Sequence, residues 1–394
     1  MKKLFLALLI LVSLLGMNTF GILAQVQAAA EKDSASITKV LIDKKVVTLK
    51  QNPVILNGEV YFPLNSALLA TGISNDGKTV KIGKGNKDIT ITKGSLKVYA
   101  KVNSNSVTIN KKQVTLKAPV VVKSGILYLP AGLINKYSGK LVIYSSTLKT
   151  VSVISEAEYK KVESFFKQVD SSFKKLKDCS YKVNFNMDME AAGMKFQYNT
   201  KASGTIDAVN KIISAVTSTA TVSPMGKEEE NSESYKVNGK YYVKTAGEDT
   251  WAETEEGEDI SMVSGFLEGF DSGDTSDDPD YDAVMNSSCI LTTDKSGAVT
   301  TVKSSMFIDL MMQDYQKELF TDGKPSAASM TFSVDNKTKF IKACNITMSG
   351  NISADGINMK ASIKVDMSYE NFNKCNAVTL PSELEEYISS GKKL

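Results

Sequence analysis

Val47-Thr48-Leu49-Lys50 returns 67 positions later as Val114-Thr115-Leu116-Lys117. Asp43-Lys44-Lys45 returns at the same spacing as Asn110-Lys111-Lys112, and Tyr61-Phe62-Pro63 as Tyr128-Leu129-Pro130. Pro53 and Pro119 slip by one residue. Several anchors at one interval mean a duplicated unit, and this limits the fold. Two copies must pack together to close a core that neither could bury alone. Each copy reads as short strands with turn punctuation. In the first, residues 39–42 and 45–49 flank a turn at Asp43-Lys44, and residues 54–56 and 60–62 flank Asn57-Gly58, where both positions accept positive φ. Pro63 fits the first turn of a short helix, residues 64–70, stopped by Gly72. Strands follow at 79–82 and 88–92, and the second copy repeats this to about Ile154.

An Asn-Gly turn, the strand end Tyr61-Phe62-Pro63-Leu64, a short helix closing on Thr71-Gly72, and a strand holding Lys78-Thr79-Val80 follow one another here. This succession resembles the copper amine oxidase N-terminal-like domain over residues 37–154. The resemblance implies a stalk module of proteins exported by Gram-positive bacteria, without copper. The Arg usual after Pro-Leu is Asn65 here, and the second copy reads Pro130-Ala131-Gly132, so whatever that Arg does in relatives is absent.

Composition agrees that the family name does not extend to oxidase chemistry. The 394 residues contain no His and no Arg, so all 47 basic residues are Lys. No imidazole is available for a Ser-His-Asp or Cys-His centre, or for a copper site. No guanidinium is available to clamp phosphate, carboxylate or guanine bidentately. With 42% hydrophobic and 23% charged residues the chain reads as folded protein. Paired carboxylates of the glycosidase kind have no placed constellation. The expectation is a non-enzyme with no cofactor.

Lys2-Lys3, the apolar run Leu4 to Leu15 and Ala28-Ala29-Ala30 ahead of Glu31 have the layout of a secretory signal peptide, cleaved near Ala28 or Ala30. The expected domains are therefore a signal peptide at 1–30, the duplicated module at 31–154 with copies at about 37–97 and 98–154, and a second domain at 155–394. The mature protein is expected outside the cytoplasm, secreted or associated with the cell envelope.

The second domain opens on an amphipathic helix from Ser155 to Lys177. Tyr159, Val162, Phe165, Phe166, Val169, Phe173 and Leu176 fall three or four apart, and Ser155 with Glu158 reads as a capping box. Beyond it period two dominates. Tyr181, Val183, Phe185, Met187 and Met189 alternate with polar residues, similar strands are expected at 195–206, 212–222, 288–293, 299–303, 328–334, 340–349 and 357–369, and residues 234–244 are expected to form a hairpin around Asn238-Gly239. Helices are expected at 260–270, 306–320 and 382–389. Met187 and Met189 read as core filling. The expected class is mainly β with a few helices: a duplicated small β-rich module followed by a curved antiparallel sheet or half-barrel with packed helices. The segment Tyr235-Lys236-Val237-Asn238-Gly239-Lys240-Tyr241-Tyr242-Val243-Lys244, with Trp251 after it, is similar to the lipoprotein-carrier (LolA-like) half-barrel. That resemblance implies a concave, partly apolar face able to hold an acyl chain or another amphipathic ligand. The other reading is a filled concavity and a purely structural or adhesive protein with no small-molecule site.

Charge divides unevenly. Residues 31–154 carry 19 Lys against 6 acidic residues, and residues 155–394 carry 26 against 38. An acidic insertion at 227–282 alone holds 18 acidic residues and 4 Lys. Nucleic acid is a poor partner for an exported chain without Arg. Anionic cell-wall polymers suit the Lys-rich module better, the alternatives being a solvated lysine face or docking of the two oppositely charged parts on each other. Asp274, Asp277, Asp278 and Asp280, in a loop with Asp271 and Asp282, are a weak calcium candidate without EF-hand spacing, and a solvated acidic loop is the alternative. Cys179, Cys289, Cys344 and Cys375 are candidates for disulfides with three connectivities. Pairing about the Ala354-Asp355-Gly356 turn sets Cys344 opposite roughly Met367, so Cys344 and Cys375 are not cross-strand neighbours.

Overall fold

The computed structural model describes residues 36–254, 280–307, 326–354 and 357–390. The expected signal peptide, the helix expected at 260–270 and most of that expected at 306–320 lie outside these residues. Among the described residues, contacts divide the chain into two compact units: residues 36–166 with 280–289, and residues 167–254 with those from 290 onward. The fold is mainly β, a duplicated β-rich module and a curled antiparallel sheet.

In the first unit the strands are β1 (Lys39–Ile42), β2 (Lys45–Val46), β3 (Val54–Leu56) and β4 (Glu59–Pro63), then helix α1 (Leu64–Thr71). There follow β5 (Val80–Ile82), β6 (Asp88–Lys93), β7 (Leu96–Lys101), β8 (Ser106–Ile109), β9 (Lys112–Thr115), β10 (Val121–Lys123) and β11 (Ile126–Pro130). Helix α2 (Ala131–Ser138), β12 (Lys140–Ser145) and β13 (Thr150–Ser155) close the second copy, and α3 (Glu156–Phe173) comes next. Strands β8 to β11 and helix α2 repeat β1 to β4 and α1 at the 67-residue interval. The interval fails after α1, because the first copy inserts a longer loop before β5.

The sheets show how the two copies complete each other. Hairpins β3–β4 and β10–β11 join edge to edge, with Tyr61 opposite Pro130, Phe62 opposite Leu129 and Pro63 opposite Tyr128. That register maps onto itself when the copies are exchanged, so a local two-fold passes between Phe62 and Leu129, both fully buried. A second sheet, ordered β12-β13-β1-β2, pairs the last strand of the second copy in parallel with the first strand of the first. Its counterpart, ordered β5-β6-β7-β8-β9, has β7 interposed and is antiparallel throughout. One apolar core joins both copies, with Phe62, Leu68, Ile89, Leu129, Leu133 and Val151 inside it. Side chains of this size each contribute about 1.5–3 kcal/mol on full burial. Asn57 and Gly58 both take positive φ, 52° and 75°, as the hairpin turn demands.

In the second unit β14 (Asp178–Ala191), β15 (Met194–Asp207), β16 (Ile212–Ser223), β17 (Gly226–Val237), β18 (Lys240–Thr245) and β19 (Ala252–Thr254) run as a meander. Helix α4 (Tyr281–Ser288) follows in the chain but packs on β12 and β13 of the first unit. The meander resumes with β20 (Ile290–Thr293), β21 (Val299–Lys303), β22 (Ala327–Asp335), β23 (Ile341–Ala354) and β24 (Ile357–Glu370), and α5 (Ser382–Ser390) ends the described chain. The two halves meet where β14 pairs with β24, giving an eleven-stranded antiparallel sheet. Tyr181, Val183, Phe185 and Met187 are buried, while Lys182, Asn184 and Asp188 are exposed. The period-two expectation therefore fixes the register, since a slip of one residue would exchange the faces.

Local differences have clear causes. Ser155 caps α3, its Oγ accepting from the Glu158 N–H at 3.1 Å, but the expected capping box is only half formed. The Glu158 carboxylate accepts instead from Lys44 Nζ at 2.9 Å. Strand β17 begins at Gly226, eight residues before the expected start, so Glu228, Glu229 and Glu230 lie on an exposed strand rather than in a loop. Helix α4 replaces the start expected for the strand at 288. Tyr281, Val284 and Met285 form its buried side, and Asp282 in its first turn suits the helix dipole.

Candidate functional site

Where the hairpins β14–β15 and β23–β24 end, the sheet borders a cavity of about 730 Å³. Three adjacent rows of residues build this end. In the first, Asp188 stands between Gln197 and Ser362 on the neighbouring strands. In the second, Met189 stands between Phe196 and Ala361. In the third, Glu190 stands between Lys195 and Lys360. All nine line the cavity, with Val222 and Ser326 at its sides. Successive rows point to opposite faces of the sheet: Asp188, Glu190, Lys195 and Lys360 are exposed, Met189 and Phe196 half-buried and Ala361 buried. Gln197 Nε2 donates to Asp188 Oδ1 at 2.8 Å, which orients that carboxylate.

The arrangement offers two ammonium groups, two carboxylates and an apolar strip within one concavity. Its volume is in the range of small-molecule sites, roughly 300–1,000 Å³. Met189, expected as core filling, is half-buried and lines the cavity. Lys195, Lys360 and Phe196 were not singled out, because isolated they look like any solvated strand end.

The cysteines are free thiols. Cys179 is the second residue of β14, and burial pushes its thiol up to about 12, with the nearby Cys375 and Asp178 adding to the rise. Cys344 is fully buried opposite Met367, as the turn register predicts, and burial raises it further. Cys375 is raised by burial and then by Asp178. Cys289 follows α4, its Sγ donating to the Met285 carbonyl at 3.4 Å. Raised thiols are poor nucleophiles and poor metal ligands. Of the calcium candidates Asp274, Asp277 and Asp278 lie outside the described residues, and Asp280 immediately precedes α4. Among the described residues no group of three or more His, Cys, Asp or Glu is placed to hold a metal ion.

A duplicated, two-fold strand module together with a curled antiparallel sheet bordering an amphipathic cavity defines a class of two-unit β protein. Within it, residues 41–153 match the model of the copper amine oxidase N-terminal domain, a non-catalytic domain. Residues 284–387 match the model of a family of unknown function, DUF6612. No curated protein matches. Among solved structures, a DUF1329 family protein from Desulfovibrio piger is similar at 12% identity and a TM-score of 0.20, over 59% of this chain and 98% of that one. The first match falls within the residues that carry the resemblance read from the sequence.

Proposed function

We propose that this is an exported, non-enzymatic binding protein of the cell envelope. Its duplicated module serves attachment to anionic wall polymers, and its second unit, LolA-like in architecture, holds an amphipathic ligand. The observation that carries the ligand reading is the cavity, where Met189, Phe196 and Ala361 lie between rows holding Lys195, Lys360, Asp188 and Glu190. An acyl chain takes the apolar strip and a polar head takes the charged rows. The absence of His and Arg and the non-catalytic character of the matched module support the non-enzymatic part.

Titration of the full chain with a monomeric lysophospholipid tests the ligand reading. One site per chain is expected in the calorimeter. Ser362→Trp, at an exposed position lining the cavity, should weaken binding by about tenfold or more. Unchanged affinity in this variant, or no binding by the parent chain, overturns the reading.

A further inference from the structure

We propose that the outer face of the five-stranded sheet in the first unit is a docking surface for a phosphodiester-linked polyol or sugar polymer. This rests on the attachment reading of that unit and names the surface and the chemistry it takes.

The duplication supplies an internal comparison. Strands β1 and β8 are the same strand of the repeat, and hairpins β12–β13 and β5–β6 correspond in the same way. In the four-stranded sheet the face turned away from the core carries Leu41, Ile143, Ser152 and Ile154. Leu41 and Ser152 are 0% exposed and Ile154 1%. Helix α4 packs on β12 and β13, with Val284 fully buried. One of the two equivalent faces is thus closed by the chain itself through apolar contacts.

The other is built differently at matching positions. Thr108 replaces Leu41, Thr90 replaces Ser152 and Lys81 replaces Ile143. A single row, Lys81-Thr90-Tyr99-Thr108-Gln113, crosses all five strands in register. Lys81 and Gln113 are exposed and the middle three half-buried. Lys97 and Lys101, both exposed, flank Tyr99 on the same face of β7, against one carboxylate, Asp88. Five strands at about 4.8 Å spacing make this row about 19 Å long. A ring at the centre, hydroxyls on either side and lysines around them suit a chain of alternating carbon-rich and phosphate segments. The ring packs on the carbon skeleton, the threonines bond its hydroxyls, and each ammonium meets phosphate as a point charge without a fixed fork geometry. Apolar residues here would have invited a second helix; these residues leave the face open to water and to polyanions.

Binding of the full chain to soluble poly(glycerol phosphate) tests this, at low and high salt. Lys81→Gln/Lys97→Gln/Lys101→Gln should weaken binding by about tenfold, as three exposed ion contacts are lost. Tyr99→Ala should weaken it without changing the salt dependence. Lys45→Gln/Lys50→Gln/Lys123→Gln, the same charge change elsewhere on the unit, should stay within about twofold. Equal losses in the two triple variants overturn the docking face and leave attachment by general charge. Failure of the parent chain to bind at low salt overturns the attachment reading itself. Tighter binding to a single-stranded oligonucleotide than to the polyol phosphate overturns the assigned chemistry.

Discussion

Gly204 on β15 sits where two neighbouring strands leave no room for a side chain. A Cβ there would clash with the Ser214 carbonyl oxygen and meet Tyr181 Oη at 2.9 Å. The reason is that Tyr181, on β14, reaches past Gly204 to donate to Ser214 O on β16 at 2.8 Å. Gly204→Ala should therefore destabilise the unit by about 2 kcal/mol or more in urea unfolding, because neighbouring strands must part. Tyr181→Phe, losing only the hydrogen bond, should cost about 1 kcal/mol. Equal effects would mean that the close approach does not depend on Gly204. Asp207, at the end of the same strand, shows the competition that sets a carboxylate's affinity for protons. Burial pushes its pKa up, but donors from Asn210 and the Val378 N–H prevail and hold it below the usual carboxylate range. A depressed native pKa gives stability that is fully present above the unfolded value, about 4, and is lost as pH falls through the native one. Asp207→Asn should flatten part of the acid limb of a stability–pH curve below about pH 4. An unaltered limb would remove this carboxylate from the account.

At the level of elements, helix α4 and helix α5 each cover a sheet face that would otherwise be wet. Val284→Asp places a charge in the fully buried contact of α4 with β12 and β13. Hydrogen exchange should then accelerate at the amides of Thr150 to Ser155, and unchanged protection would show that α4 is not what shields them. Helix α5 buries Leu384 against Tyr235, Tyr242 and Trp251, the chain's single tryptophan. Lys244 Nζ meets Glu383 Oε2 at 2.8 Å beside it. Leu384→Ala should cost about 2–5 kcal/mol and shift the Trp251 emission to the red. The emission is a clean reporter, since no other indole contributes. Much at this level was legible in the sequence. The 67-residue interval located paired elements, and alternation from Tyr181 to Met189 located the buried face of β14. Strand β7 was not legible, because it has no counterpart in the other copy and falls where one repeat passes into the next. Helix α4 was hidden by its setting. Tyr281, Val284 and Met285 have helical spacing, but they directly follow an acidic run that reads as a solvated loop.

Across the whole molecule, duplication and long antiparallel pairing do different work. The repeat builds a two-fold core that needs both copies, and its sequence signature is strong because the anchors are turn and core residues with fixed roles. The long sheet brings together residues such as Asp188 and Ser362, far apart in sequence, and no local signal marks their meeting. That is why the fold of the second unit was readable and its cavity was not. Lys195 and Lys360 become a pair only through their common neighbour Glu190. The uneven charge of the chain was visible from composition alone. The three-sheet arrangement turns it into a specific contrast, an apolar face under α4 and a lysine-and-threonine face on the matching sheet. Native mass spectrometry of the full chain, sprayed without denaturation, tests the central claim most directly. One amphiphile should accompany each chain and be lost in Ser362→Trp. A parent chain that carries no adduct, and gains none on incubation with lysophospholipid, would contradict it.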